Sequence, residues 1–72
     1  MMPLAMLRQG QSARIVQIAG GHGMRQHLSA MGFVPGEQVT VVGGSHGGPL
    51  LLTVKGTRVA IGRGMAHKIL VD

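Results

Sequence analysis

The sequence predicts a mainly-β domain, a small closed barrel of about five strands with one short helix. The length of 72 residues leaves room for a single domain over 1–72. Thirteen glycines and a single aromatic residue argue against a helical bundle. Short aliphatic and β-branched runs between turn residues indicate strands, and a closed barrel would remove their exposed edges. The absence of cysteine excludes a disulfide framework.

The first predicted elements of the barrel are a strand and the helix. Ser12–Ile18 carries β-branched residues and is predicted as the first strand. After a glycine-rich break, Met24, Leu28 and Met31 recur at i, i+4 and i+7, which places them on one face of a short helix. Gly32 stands where this helix needs a left-handed C-terminal residue.

The remaining chain is predicted to be β-structure joined by turns. Residues 3–7 form an apolar anchoring segment before the first strand. The further strands are expected at Glu37–Val42, Leu50–Val54, Arg58–Ile61 and Lys68–Val71. Residues 43–48 are predicted as a loop, 55–57 as a tight hairpin connection and 62–67 as a turn or single helical turn. We expect Leu28, Val39 and Ile69 in the core, because they are apolar members of periodic elements.

The charge balance is strongly basic. Seven lysines and arginines face two acidic side chains, Glu37 and Asp72, for a formal net charge of +5. This favours an acidic partner, which could be nucleic acid, an anionic membrane surface or an acidic protein face. The basic residues are scattered, and Phe33 is the only phenylalanine, tyrosine or tryptophan that could stack on a base. We therefore expect no specific nucleic-acid binding, although a small basic nucleic-acid-binding domain stays open as the alternative function.

The sequence argues against a membrane span and against catalysis. No apolar run reaches the ~18 residues that a membrane span needs, so we expect a cytoplasmic protein that is not embedded in a membrane. Glu37 and Asp72 cannot form a local pair of carboxylates for acid–base chemistry. Ser45 and His46 are adjacent in a glycine-rich loop, but no third group is evident to orient them as a nucleophile and base. We expect no enzymatic activity.

Histidines are the candidate metal ligands. Imidazole suits iron and zinc, and His22 and His27 are the two that lie at or near the helix. They are five residues apart, not the four that place two histidines on one helical face. The favoured interpretation is that the histidines are exposed and bind no metal. We expect that the protein requires no cofactor. A divalent metal held between the protomers of a homo-oligomer stays open.

A series of motifs covers nearly the whole chain. Leu28 is followed by Met31-Gly32-Phe33-Val34-Pro35-Gly36, the pattern L-x-x-(M/L)-G-(F/L)-x-P-G. The supporting positions are Leu4, Leu7, Gly10, Ala13-Arg14-Ile15-Val16, Gly20-Gly21, Val39, Val41 and Ala66-His67-Lys68-Ile69-Leu70-Val71. In this order they resemble the FeoA family of small cytoplasmic proteins of bacterial ferrous iron transport.

The resemblance implies both a fold and a function. It implies an SH3-like β-barrel with an inserted helix. It further implies an accessory or regulatory protein that acts as an adaptor for FeoB, a membrane iron permease with a cytoplasmic GTP-binding domain. Family members often carry acidic residues before the final strand, where this chain has Gly62-Arg63-Gly64-Met65. The histidines are not a signature of the family.

Two surfaces are predicted to contact the partner. The helix and its flanking loops interrupt an otherwise generic barrel, and its outward residues are expected to be Arg25, Gln26 and Ser29. Arg25 is the main candidate, because a guanidinium can hold a carboxylate through two hydrogen bonds. Leu50, Leu51 and Leu52 are predicted to form a second, hydrophobic rim, since three successive strand residues cannot all point inward.

Overall fold

The structure, a computed structural model, describes residues 1–44 and 47–72. Its strands are β1 (Met2–Pro3), β2 (Ser12–Ile18), β3 (Gln38–Gly44), β4 (Leu50–Val54), β5 (Thr57–Ile61) and β6 (Ile69–Val71). Its helices are α1 (His22–Ala30) and α2 (Arg63–Ala66), with a single 3-10 turn at Leu4–Met6. The mainly-β class and the short helix are confirmed. Ser45 and His46, the adjacent residues of the predicted glycine-rich loop, lie outside the described residues.

The strands form one antiparallel sheet in the order β1-β6-β2-β3-β4-β5. The prediction of about five strands missed β1, a two-residue strand in the segment expected only to anchor the barrel. The ladder also has two ends, because no pairing between described residues joins β1 to β5. The expected removal of every strand edge is therefore wrong for β1 and β5. None of the described helices is both long and apolar enough to span a membrane.

The core is almost wholly aliphatic. Leu28, Val39 and Ile69 are fully buried, which confirms their predicted place. The other buried side chains are Leu4, Ile15, Ile18, Phe33, Val41, Leu50, Leu52, Val54, Ile61, Ala66 and Val71. Among the described residues, no polar or charged residue is buried. Stability therefore depends on the packing of aliphatic side chains around a single ring, Phe33.

A Schellman motif ends α1 and directs the chain into the core. Gly32 has a φ of 96°, in the left-handed region, as predicted. The Gly32 N–H donates to the Ser29 carbonyl at 2.9 Å, and the Phe33 N–H donates to the Leu28 carbonyl at 2.9 Å. These are the two bonds of the motif, and both side chains of its usual hydrophobic contact, Leu28 and Phe33, are fully buried.

The following turn fixes the entry into β3. Pro35 and Gly36 are the central residues of a type II turn, with φ 94° at Gly36 and the Glu37 N–H donating to the Val34 carbonyl at 3.1 Å. The Gly36 N–H then donates to the Ile15 carbonyl at 2.8 Å, and the Ile15 N–H donates to the Glu37 carbonyl at 2.8 Å. The turn is therefore held directly against β2.

Replacing Leu28 by alanine should strongly destabilise the protein. The side chain is fully buried where α1 meets the sheet, and its truncation leaves a cavity that typically costs about 2–5 kcal/mol. Urea unfolding followed by circular dichroism measures the change in the free energy of unfolding. The matched control is Ser29→Ala at the neighbouring exposed position, where a change below about 0.5 kcal/mol is expected. Equal midpoints for the two variants would show that α1 does not stabilise the sheet.

Candidate partner-binding site

The outward side of α1 carries one polar stripe. His22 lies three and four positions before Arg25 and Gln26, and Ser29 lies four and three positions after them. The four residues therefore share a face, and all are exposed. Leu28 points the opposite way into the core, with Met24 and Met31 half-buried beside it. The predicted outward placement of Arg25, Gln26 and Ser29 is thus confirmed. Their part in binding stays a prediction. We call these four residues the α1 face.

The start of α1 is electrically positive and has no side-chain cap. Its N-cap is Gly21, no acidic residue lies in the first turn, and no side chain bonds the free N–H groups there. The Arg25 backbone N–H donates to the Gly21 carbonyl at 3.0 Å, while its side chain has no ion pair among the described residues. A cation at this end opposes the helix dipole. The α1 face therefore offers positive charge to an outside carboxylate.

The histidines do not form a metal site within the described chain. His22 and His27 are both exposed on α1. At about 100° per residue, five positions separate their directions by about 140°, so they cannot bind one ion together. No group of three or more described metal-binding side chains comes together elsewhere. His67 is exposed just after α2, and His46 lies outside the described residues.

The predicted leucine rim reduces to one residue. Leu50 and Leu52 are buried, with 4% and 0% of their surface exposed, so they belong to the core and cannot form a contact surface. Leu51 lies between them and is 38% exposed. The alternation follows from the strand period of two, which sends neighbours to opposite faces of β4. The interpretation of the whole apolar run as a rim was wrong for Leu50 and Leu52.

A groove connects α1 with the β4–β5 hairpin. It has a volume of about 450 Å³ and is lined by Ser29, Ala30, Met31, Gly32, Val54, Lys55, Thr57 and Val59. The Lys55 side chain crosses towards Glu37, with 3.8 Å between Nζ and Oε1. Both groups are partly exposed, so this ion pair contributes little to stability but sets the direction of the Lys55 side chain. Ser29 belongs to both the α1 face and this groove, which makes the two continuous.

The basic residues come from many different elements of the fold. They are spread over most elements of the fold, as Arg8 before β2, Arg14 in β2, Arg25 in α1, Lys55 in the hairpin turn, Arg58 in β5, Arg63 in α2 and Lys68 before β6. The Arg14 guanidinium donates to the Gly36 carbonyl at 3.2 Å and so also supports the type II turn.

Sequence reasoning missed the groove and the open edge at β5. The groove joins residues about 25 positions apart in the sequence, 29–32 and 54–59, and no local pattern connects them. The edge could have been suspected from Arg58, because charged side chains are common on edge strands. In the sequence alone, Arg58 is one of seven scattered cations.

Comparisons with known proteins agree on one family. A family model described as the FeoA domain matches residues 2–72. A protein of Methanocaldococcus jannaschii, provisionally named as an Fe(2+) transport protein A, is 38% identical over 72 residues, which are all of this chain and 87% of the relative.

Solved structures of similar proteins share the fold. A crystal structure of an iron uptake regulatory protein, FeoA, superposes with a TM-score of 0.92 at 38% identity and covers 97% of this chain and 93% of its own. The zinc complex of Stenotrophomonas maltophilia FeoA, described as a prokaryotic SH3 domain protein, superposes with a TM-score of 0.87 at 32% identity. That match covers all of this chain and 91% of the other. The SH3-like architecture is therefore confirmed, and the chain belongs to the FeoA domain family.

Proposed function

We propose that this protein is an accessory protein of ferrous iron uptake, which acts as an adaptor on the cytoplasmic part of a FeoB-like permease. The observation that carries the proposal is the family match, because it extends over residues 2–72 and so includes the whole fold. Relatives at 38% identity are named for Fe(2+) transport and for regulation of iron uptake. The proposed role is binding, not catalysis.

The distribution of polar groups supports a function through surface contacts. The described core holds no polar residue, and the described histidines and carboxylates do not cluster. Chemistry on a small substrate usually requires convergent polar groups in a cleft. The candidate contact groups are instead separate exposed side chains, those of the α1 face and Leu51 on the outer side of β4. Such a surface can recognise another protein by charge and shape.

Arg25 is the proposed centre of the α1 contact. Its guanidinium can donate two parallel hydrogen bonds to one carboxylate of the partner. Gln26 and Ser29 lie beside it and can donate and accept further hydrogen bonds. Leu51 is the proposed apolar contact of the same partner. A cytoplasmic location of the chain would place these residues on the side of the membrane where the permease carries its GTP-binding domain.

Metal binding has weaker support. A relative from Stenotrophomonas maltophilia was solved with zinc. In this chain the exposed pair His22 and His27 cannot bind one ion, so a tight site would need ligands from a second copy or from the partner. We propose that the adaptor function requires no metal held by His22 and His27.

Binding to the permease is tested directly by a pull-down. The full chain is immobilised and offered the cytoplasmic domain of the permease, with and without guanine nucleotide. Retention of the domain that a tenfold excess of soluble chain abolishes would support the adaptor role. Failure to retain it in every nucleotide state would contradict that role.

The variant Arg25→Glu should bind the permease domain roughly tenfold more weakly, because it replaces an attraction to carboxylates by a repulsion. Its thermal midpoint should be unchanged or slightly raised, since an acidic residue near the start of a helix complements the dipole. Binding is measured by calorimetric titration and folding by a thermal melt. Arg8→Glu, an equal charge reversal at an exposed position before β2, is the control and should bind normally. Normal binding by Arg25→Glu would remove the α1 face from the proposal.

Zinc and ferrous iron should bind only weakly to the isolated protein. Exposed imidazoles that point in different directions cannot share an ion, so calorimetry should detect no stoichiometric tight site. The double variant His22→Ala, His27→Ala should titrate like the parent and should support normal iron uptake. The single variant His67→Ala is the control for loss of an exposed imidazole. A tight site that disappears only in the double variant would contradict this prediction.

A further inference from the structure

The strand β5 is the longer open edge of the sheet. The other edge, β1, has two residues and contains Pro3, and both features limit pairing with another chain. By contrast β5 has five residues and no proline. Its only charged residue is Arg58. The fold therefore protects one edge against a further strand and leaves the other able to accept one.

The hairpin turn determines which backbone groups of β5 face outward. Lys55 and Gly56 form a two-residue loop with φ values of 51° and 74°, and such loops are closed by a hydrogen-bonded pair, here Val54 and Thr57. Bonded and non-bonded pairs alternate along an antiparallel ladder. The N–H and C=O groups of Arg58 and Ala60 therefore point away from β4. Two donors and two acceptors are available at this edge.

The outer face beside this edge presents two different rows of side chains. Strand register aligns Ser12, Thr40 and Thr53 with Arg58, and the Ser12 and Thr40 hydroxyl oxygens lie 2.7 Å apart. The next outward row aligns Gly43 and Leu51 with Ala60. The first row is polar and ends in a cation, while the second is apolar.

The apolar row opens into a second groove. This groove has a volume of about 440 Å³ and is lined by Gly44, Pro49, Leu51 and Ala60. Gly43 has no side chain, so the space beside Leu51 stays open. A Cβ at this position would occupy that space, at 3.5 Å from the Leu51 side chain. A strand added to β5 would project every second side chain over this outer face.

The charges of the chain favour an acidic molecule as the one that binds at β5. The chain has two acidic side chains, and both are in ion pairs: Glu37 with Lys55, and Asp72 with the Met1 amino group at 3.1 Å. Arg58 has no ion pair among the described residues. A second copy would bring another net charge of +5 and only two acidic side chains, both already in ion pairs. Arg58 is therefore available to a carboxylate of a different molecule.

We propose that β5 binds an extended acidic segment of the permease partner as an additional strand. The N–H and C=O groups of Arg58 and Ala60 form four hydrogen bonds with its backbone. A carboxylate on the segment faces Arg58, and an apolar side chain two residues away enters the groove at Leu51. This inference rests on the proposed function and specifies the chemistry by which the partner is recognised.

Amide hydrogen exchange tests the added strand. In the free chain the Arg58 and Ala60 amides should exchange rapidly, while the Val59 amide, bonded to β4, should be protected. The probe is the detergent-solubilised permease, and an empty detergent micelle is its control. Addition of the permease should slow exchange at Arg58 and Ala60 by at least tenfold and leave Val59 nearly unchanged.

A proline at position 60 tests the contribution of the strand edge without changing the rest of the surface. Ala60→Pro removes an N–H that has no partner in β4, so the thermal midpoint should stay within a few degrees of the parent. Its affinity for the permease should fall at least tenfold. Ala60→Ser keeps the N–H and a small side chain, and is the matched control that should bind normally.

Charge reversal tests the acidic character of the segment. Arg58→Glu should weaken binding at least tenfold, whereas Arg8→Glu, next to β2 and separated from β5 by β3 and β4, should not.

Full-strength binding by both Ala60→Pro and Arg58→Glu, without protection at Arg58 and Ala60, would overturn the inference and leave the adaptor role intact. If exchange at Arg58 and Ala60 slows as the protein concentration rises in the absence of permease, a second copy occupies the edge. That result would also overturn the inference. No binding by the parent would contradict both proposals.

Discussion

The left-handed backbone at Gly32 is the constraint on which the rest of the structure depends. It ends α1, places Phe33 against Leu28 in the core, and starts the segment that delivers Pro35 and Gly36 to β2. Any side chain at this position would be strained by φ, and a Cβ would lie 3.6–3.7 Å from Lys55 and Val54, so the hairpin packs closely over the glycine. The position of α1 on the sheet, and with it the α1 face, follows from this one residue.

The surface is divided between parts that maintain the fold and parts that are available to other molecules. Lys55 adopts a positive φ although it is not glycine, which costs free energy, and its side chain is directed to Glu37. Arg14 likewise donates to the Gly36 carbonyl. Arg25 and Arg58 have no such ion pair or hydrogen bond among the described residues. With seven basic and two acidic side chains in the chain, Arg25 on the α1 face and Arg58 on β5 are available to acidic groups of other molecules.

Local signals in the sequence were sufficient for most of the fold. The spacing of Met24, Leu28 and Met31 predicted the helix, and Gly32 predicted its end, because both depend on residues within a few positions. The strand β1 could not be predicted, since two residues carry no periodicity and pair only because β6 lies beside them. Leu50 and Leu52 were misplaced because an apolar run does not reveal which members face the core. The groove and the outward groups of β5 depend on register between distant strands, which single residues do not encode.

The place of β6 between β1 and β2 has a consequence for synthesis of the chain. The strands from β2 to β5 are joined in sequence order and can pair as soon as each emerges from the ribosome. Neither β1 nor the other side of β2 has a partner until β6 is made, and Ile69 and Val71 are fully buried core residues. A nascent chain that lacks β6 therefore exposes apolar surface, an unpaired β1 and one unpaired edge of β2, so cooperative folding must await β6.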